Sequence, residues 1–264
     1  MKLKHNMGKV IAVTNQKGGV GKTTTSLAVA TGLQRKGKRV LAIDLDPQAN
    51  LSFSLGGDTE DGPTVYELLK GEVKPRYAVQ RATSVDLISC NILLSGVELE
   101  FQGEGREYML KNAIAPLRAR YDYIIIDTPP ALSILTINAF AAADYLVIPM
   151  LADIFSLQGI AQLSDTILRL RQRCNPDLVI GGILLSRYDR RTILGRRIKE
   201  TAEMVASQVG THIYRTTIRN SVSIQEAQTN QVSIYEHSPR SPAVKDYKAF
   251  VNELLAEEAG EEEG

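Results

Sequence analysis

The sequence predicts an α/β fold, a single domain with a mostly parallel sheet and helices on both faces. Three observations carry this. Short runs such as "KVIAVT" (residues 9–14) and "YIII" (123–126) are apolar at successive positions, as strands buried on both faces require. Amphipathic stretches of helical spacing alternate with these runs, as crossover helices between parallel strands do. A glycine-rich segment, "NQKGGVGKTTT", follows the first run directly.

Residues 9–14 form the first strand. Residues 23–36 carry Leu27, Ala28, Ala30 and Leu33 at helical spacing, stopped by Gly37. Residues 39–43 are a strand leading into the polar turn "DLDPQAN"; 65–69 are a short helix, 85–89 a strand, 107–120 a helix and 123–126 a strand. A helix at 133–143, a strand at 145–149, a long amphipathic helix at 157–174, a strand at 178–185 and helices at 196–208 and 243–256 follow. Residues 56–63 and 98–105 read as exposed loops. The folded body therefore covers 9–256, after an extension of eight residues and before an acidic tail (257–264) expected to be disordered. No internal repeat or low-complexity linker divides it.

Composition narrows the function classes. Hydrophobic residues make up 44% of the 264, enough for a sizeable core. The net charge of +1 implies no partner, but basic residues concentrate between Arg187 and Arg219, which hints at a positive surface. Cys90 and Cys174 have neither metal-ligand nor redox spacing and read as reduced thiols. No segment approaches the ~20 apolar residues that span a bilayer, and "MKLKHNMGKV" lacks the apolar stretch of a secretion signal. The expected location is cytoplasmic.

A strand, a glycine-rich loop ending in Lys-Thr, and a helix make a phosphate cradle, the core of a P-loop NTPase domain. Glycines let successive N–H groups turn to the oxygens, and the helix N-terminus adds positive potential. The cradle comprises Lys17, Gly18, Gly19, Val20, Gly21, Lys22, Thr23 and Thr24. Lys22 suits the β- and γ-phosphates of ATP, and the Thr23 hydroxyl suits Mg²⁺. In "LAIDLDPQAN", Asp44 and Asp46 are two positions apart, so strand alternation would turn both carboxylates toward the loop. "YDYIIIDTPP" ends an apolar strand in Asp127, where a carboxylate can hold an Mg²⁺-bound water. None of these groups is a strong covalent nucleophile, which fits direct attack by water.

The loop departs from G-x-x-x-x-G-K-[ST], because position 16 is Gln; it matches K-G-G-x-G-K-[ST], led by Lys17. With "GKRVLAIDLDPQANLS" and "YDYIIIDTPPALSILTINAFAAADYLVIP", the chain resembles the ParA/Soj family of deviant Walker A partition ATPases from residue 9 to about 255. The resemblance implies ATP and Mg²⁺ as cofactors. It also implies a homodimer when ATP is bound, with Lys17 contacting phosphate across the interface. Asp46, preferred over Asp44, positions or activates the attacking water, with Mg²⁺ near Thr23 and, through water, Asp127 and Asp46.

The same resemblance implies non-specific binding to double-stranded DNA, nucleoid association, and a ParB-like partner that stimulates hydrolysis. "SRYDRRTILGRRIKE" supplies Arg190, Arg191, Arg196, Arg197 and Lys199, with Arg191 at the loop position of a DNA-contacting arginine. The family stretch I-P-R-N-V-R-L-S-E-A appears here as "IRNSVSIQEA". A second basic position therefore falls on Ser223, and Arg219, Lys245 and Lys248 are the substitutes. Adenine contacts fall within 186–188 and 217–219, where Tyr188 equally suits packing. The acidic "VNELLAEEAGEEEG" argues against a membrane-targeting helix, and the short N-terminus against an added helix-turn-helix domain. Two alternatives stand beside the partition reading. One is the same ATPase cycle acting on a protein cargo such as a chemoreceptor cluster or carboxysome. The other is a metal-cluster carrier, for which the cysteines are poorly placed.

Overall fold

The computed structural model describes residues 7–263. Strand β1 (Lys9–Val13) leads through the glycine-rich loop into helix α1 (Lys22–Arg35), which returns to β2 (Val40–Asp44). Short helices α2 (Asn50–Ser54), α3 (Val65–Lys70) and α4 (Pro75–Ala78) follow, then a ribbon of β3 (Gln80–Arg81) and β4 (Asp86–Ile88). Helices α5 (Val97–Glu100) and α6 (Met109–Ile114) precede β5 (Tyr123–Asp127). Alternation resumes with α7 (Ile134–Ala142), β6 (Tyr145–Leu151), α8 (Ile154–Arg173), β7 (Val179–Ser186) and α9 (Ile193–Gln208). Helices α10 (Val222–Thr229), α11 (Ile234–His237) and α12 (Pro242–Glu263) close the domain.

The strands form one seven-stranded sheet in the order β3-β4-β2-β5-β1-β6-β7. Every neighbouring pair is parallel except the edge pair β3–β4. The unbroken apolar runs split by alternation. Val10, Ala12, Ile124, Ile126, Leu146 and Ile148 enter one core layer. Ile11, Val13, Ile125 and Val147 enter the other. Side chains of period two on a sheet covered on both faces produce this division. In the second layer, α1 approaches its neighbours so closely that a Cβ at Gly32 would lie 2.7 Å from the Tyr235 hydroxyl and 2.8 Å from Val251.

Several segments differ from the sequence reading, among them the short helices α2, α4, α10 and α11, which it did not anticipate. Residues 107–120 are not one helix: α6 is flanked by 3₁₀ turns at 106–108 and 115–117. Pro116 supplies no N–H to continue it. Part of the expected loop at 98–105 is the short helix α5. The acidic tail is not disordered from residue 257, because α12 continues to Glu263. Glu257 accepts hydrogen bonds from the Tyr145 hydroxyl and His212 Nε2, both at 3.1 Å, and Glu258 accepts one from the Tyr123 hydroxyl. Tyrosines at the starts of two strands thus give these acids partners that their charge alone does not reveal. Among the described residues, no helix is long and apolar enough to cross a membrane.

Candidate active site

β1 lies between β5 and β6, and the C-terminal ends of these strands, with those of β2 and β7, form one edge of the sheet. Crevices at this edge are where parallel sheets place ligands. The glycine-rich loop crosses it with Gly19 at φ 72° and Gly21 at φ 92°, a left-handed backbone that suits glycine. Space in front of the loop is open: a Cβ at Gly18 or Gly19 would meet nothing within 4 Å. The first N–H groups of α1, at Lys22, Thr23 and Thr24, have no partner within the helix.

Residues outside the motif brace this loop. Asn15 donates from Nδ2 to the Pro149 carbonyl (2.7 Å), and its Oδ1 accepts from the Lys17 N–H (2.9 Å). The Ser186 hydroxyl, at the end of β7, donates to the Val20 carbonyl at 2.7 Å. Lys22 Nζ donates to the loop's own Lys17 carbonyl at 3.2 Å. Burial lowers the Lys22 pKa, while the charges of Asp127 and Asp46 oppose that shift. The Thr24 hydroxyl turns away to Gln228 of α10 (3.4 Å), so of its groups only the N–H stays with the cradle.

The three acids separate in role. Asp127 accepts from the Thr23 hydroxyl (2.7 Å) and the Ser26 hydroxyl (2.8 Å) and is fully buried. Burial, and then the facing Asp44, raise its pKa. Asp46 lies in the turn after β2; its Oδ1 accepts from the Gln48 N–H, and its charge reaches Lys22. Asp44 corrects the sequence reading. Strand alternation stops with it, and its carboxylate faces the following turn, accepting from Ser52 N, the Ser52 hydroxyl and Asp46 N. It positions the Asp46 segment rather than meeting the phosphate loop. Burial raises its pKa as well.

Lys17 is held within its own chain. Its Nζ lies 2.9 and 2.8 Å from the two carboxylate oxygens of Asp153, and 3.2 Å from the Ser156 hydroxyl. Asp153 is the N-cap of α8 and also accepts from the Ser156 N–H. In the sequence, Asp153 carries only the signal of a helix cap, an acid just before an apolar-periodic run. Its second job depends on a contact across 136 residues.

The basic segment lies on the same sheet edge. Arg190, Arg191, Arg196 and Arg197 are exposed, and Lys199 is half-buried. Arg191 pairs with Asp189 at 2.9 Å, and Lys199 with Glu203 at 3.7 Å. Arg219 forks onto Asp246 (2.6 and 2.8 Å) and the Pro242 carbonyl, an anchor for α12. Tyr188 is packed in the core. Its N–H donates to the Ile218 carbonyl, and the Ile218 N–H to Leu185, so residues 186–188 and 217–219 run side by side next to the loop. Cys90 and Cys174 are free thiols; burial pushes the Cys90 pKa far up. Among the described residues no group of three or more His, Cys, Asp or Glu gathers to hold a metal ion.

Hard oxygen donors beside a positive, glycine-lined cradle fit Mg²⁺ with a polyphosphate. Fold and site together define a P-loop ATPase that uses ATP and Mg²⁺. The model of the AAA domain family matches residues 8–180. The chain is 39% identical over 254 residues to the sporulation initiation inhibitor protein Soj of Bacillus subtilis, covering 95% of this chain and 99% of that one. It is 38% identical to the chromosome partitioning protein ParA of Caulobacter vibrioides, covering 95% of each. A structure titled cobyrinic acid a,c-diamide synthase from Mycobacterium smegmatis, with bound ATP analog and magnesium, superposes with a TM-score of 0.82 at 36% identity, covering 94% of both chains. The chain belongs to the ParA/Soj family of P-loop ATPases.

Proposed function

We propose that this ATPase is a DNA-partition protein. It dimerises on ATP, binds duplex DNA non-specifically, and leaves DNA after a ParB-like partner stimulates hydrolysis. The cycle operates in the cytoplasm, on the nucleoid. The observation that carries this reading is the Ser186–Val20 hydrogen bond. It ties the phosphate loop to the strand whose next residues open the basic segment, so occupancy of the loop has a short mechanical path to the DNA-facing loop.

In this cycle Lys22 and Thr23 hold the polyphosphate and its metal ion, with Asp127 behind them. Asp46 orients the attacking water, and Asp44 fixes the turn that carries Asp46. Lys17 leaves Asp153 and reaches the nucleotide of the second protomer. A charge supplied across an interface contributes about 10³–10⁵ in rate in other phosphoryl transfers. Arg190, Arg191, Arg196 and Arg197 contact phosphates, each adding about 0.9 to the log–log salt slope.

Co-sedimentation with duplex DNA across a salt series, with ATP, ADP or no nucleotide, tests the reading. ATP-selective, salt-sensitive binding is expected; binding indifferent to nucleotide would sink it. Asp46→Ala should hold an ATP-bound dimer on DNA, with turnover lowered at least ~100-fold, as removal of a water-orienting group implies. Unchanged phosphate release would move that role to another residue.

A further inference from the structure

At the opposite edge of the sheet, where β2, β4 and β5 begin, there is a cleft of about 450 Å³. Its walls are the C-terminal end of α1, the β3–β4 hairpin and the residues leading into β5. Five cations line it, Arg35, Lys38, Arg39, Arg81 and Arg120, against two carboxylates, Asp86 and Glu236. The carboxylates do not balance them. Asp86 accepts a hydrogen bond from the Tyr121 hydroxyl at 2.8 Å, and Glu236 is only loosely paired with Arg35, at 3.7 Å. Arg39 is occupied by Asp122, with Nη2–Oδ1 at 2.7 Å. Lys38, Arg81 and Arg120 have no ion pair or side-chain hydrogen bond among the described residues. What sets this surface apart from the basic segment near the phosphate loop is its concavity, since ion pairing is partial in both: Arg191, Lys199 and Arg219 carry carboxylates there, as Arg35 and Arg39 do here.

We infer that this cleft binds a small phosphorylated anion, up to the size of a nucleotide, at a site separate from the ATP cradle. Like charges gathered in a concave surface raise the local potential and attract a multivalent anion. Guanidinium forks match phosphate oxygens bidentately. The volume falls within the range of small-ligand sites. Duplex DNA, whose phosphates line a convex rod, reaches only the rim. The inference is independent of the partition reading, because it concerns a different edge of the sheet and different residues.

The test is calorimetric titration of pyrophosphate into protein whose phosphate loop is already filled with ADP and Mg²⁺. One salt-sensitive site per chain is expected. Arg81→Gln should weaken it about tenfold, and Arg81→Gln with Arg120→Gln about a hundredfold, as charge-assisted hydrogen bonds imply. ADP affinity, unchanged in both variants, certifies that they are folded. Absence of a second binding event in the ADP-filled wild type overturns the proposal. So does pyrophosphate binding that survives the double substitution. Loss of duplex DNA binding in the variants, with no pyrophosphate site in the wild type, would assign the surface to DNA and overturn it equally.

Discussion

Asp153 grips Lys17 with both carboxylate oxygens, yet each side chain is about one-third exposed. A solvent-screened pair of this kind contributes only about 0–1 kcal/mol, so the release of Lys17 that the proposed cycle requires costs little at this pair. Asn at position 153 keeps the N-cap of α8 and removes the charge. Asp153→Asn should therefore lower the ATP concentration for half-maximal dimerisation by up to about fivefold, read by light scattering. An unmoved midpoint would show that the pair does not restrain Lys17. That Lys22, Thr23, Asp46 and Asp127 lie about the phosphate loop was legible because each belongs to a short motif at a strand end or helix start, with the family resemblance supplying the role expected of Asp46. Asn15, Asp153 and Ser186 were not. Each acts through a partner supplied by a distant strand, and no local spacing encodes that meeting.

Among the elements, the buried strands read clearly because a run apolar at every position has few other uses. Helices α10 and α11 were missed: both are short and too weakly periodic to stand out from loop. The break at Pro116 was visible as a residue, but its consequence was not, because tolerance of proline depends on tertiary context. The end of α12 is the most instructive miss. Charge pattern favoured a solvated tail, whereas Tyr123, Tyr145 and His212 supply hydrogen bonds at 257 and 258. Removing residues 257–264 should cost about 1–2 kcal/mol, lowering the thermal midpoint by roughly 2–8 °C for a chain of this size. Tyr145→Phe should reproduce part of the loss. A midpoint unaffected by the deletion would return the tail to a solvated extension.

Across the whole molecule, the sheet stacks two buried carboxylates opposite each other, since Asp44 and Asp127 are register partners on β2 and β5. Burial raises Asp44 to about 6, and burial with the Asp44 charge raises Asp127 to about 8. Both folded values exceed the ordinary aspartate value near 3.9, so between these limits the folded form holds more protons than the unfolded one. The nucleotide-free protein should thus lose stability as pH rises from about 4 to about 8. In the proposed cycle saturating Mg²⁺ and ATP bring a cation near Asp127, through water, and should flatten that slope. Thermal midpoints at several pH values, with and without nucleotide, decide the matter; a flat nucleotide-free profile would mean that the pair ionises without penalty.

The tight contact at Gly32 bears on how such a molecule transmits events along its length. The fourteen residues of α1 make a rod of about 21 Å, with the phosphate loop at one end and the basic cleft at the other. With Tyr235 and Val251 pressed against its backbone, the rod has no room to slide alone, so α11 and α12 must travel with it. Were the inferred cleft site and the phosphate loop coupled through this shaft, each would bias the other by the same amount, whichever fills first.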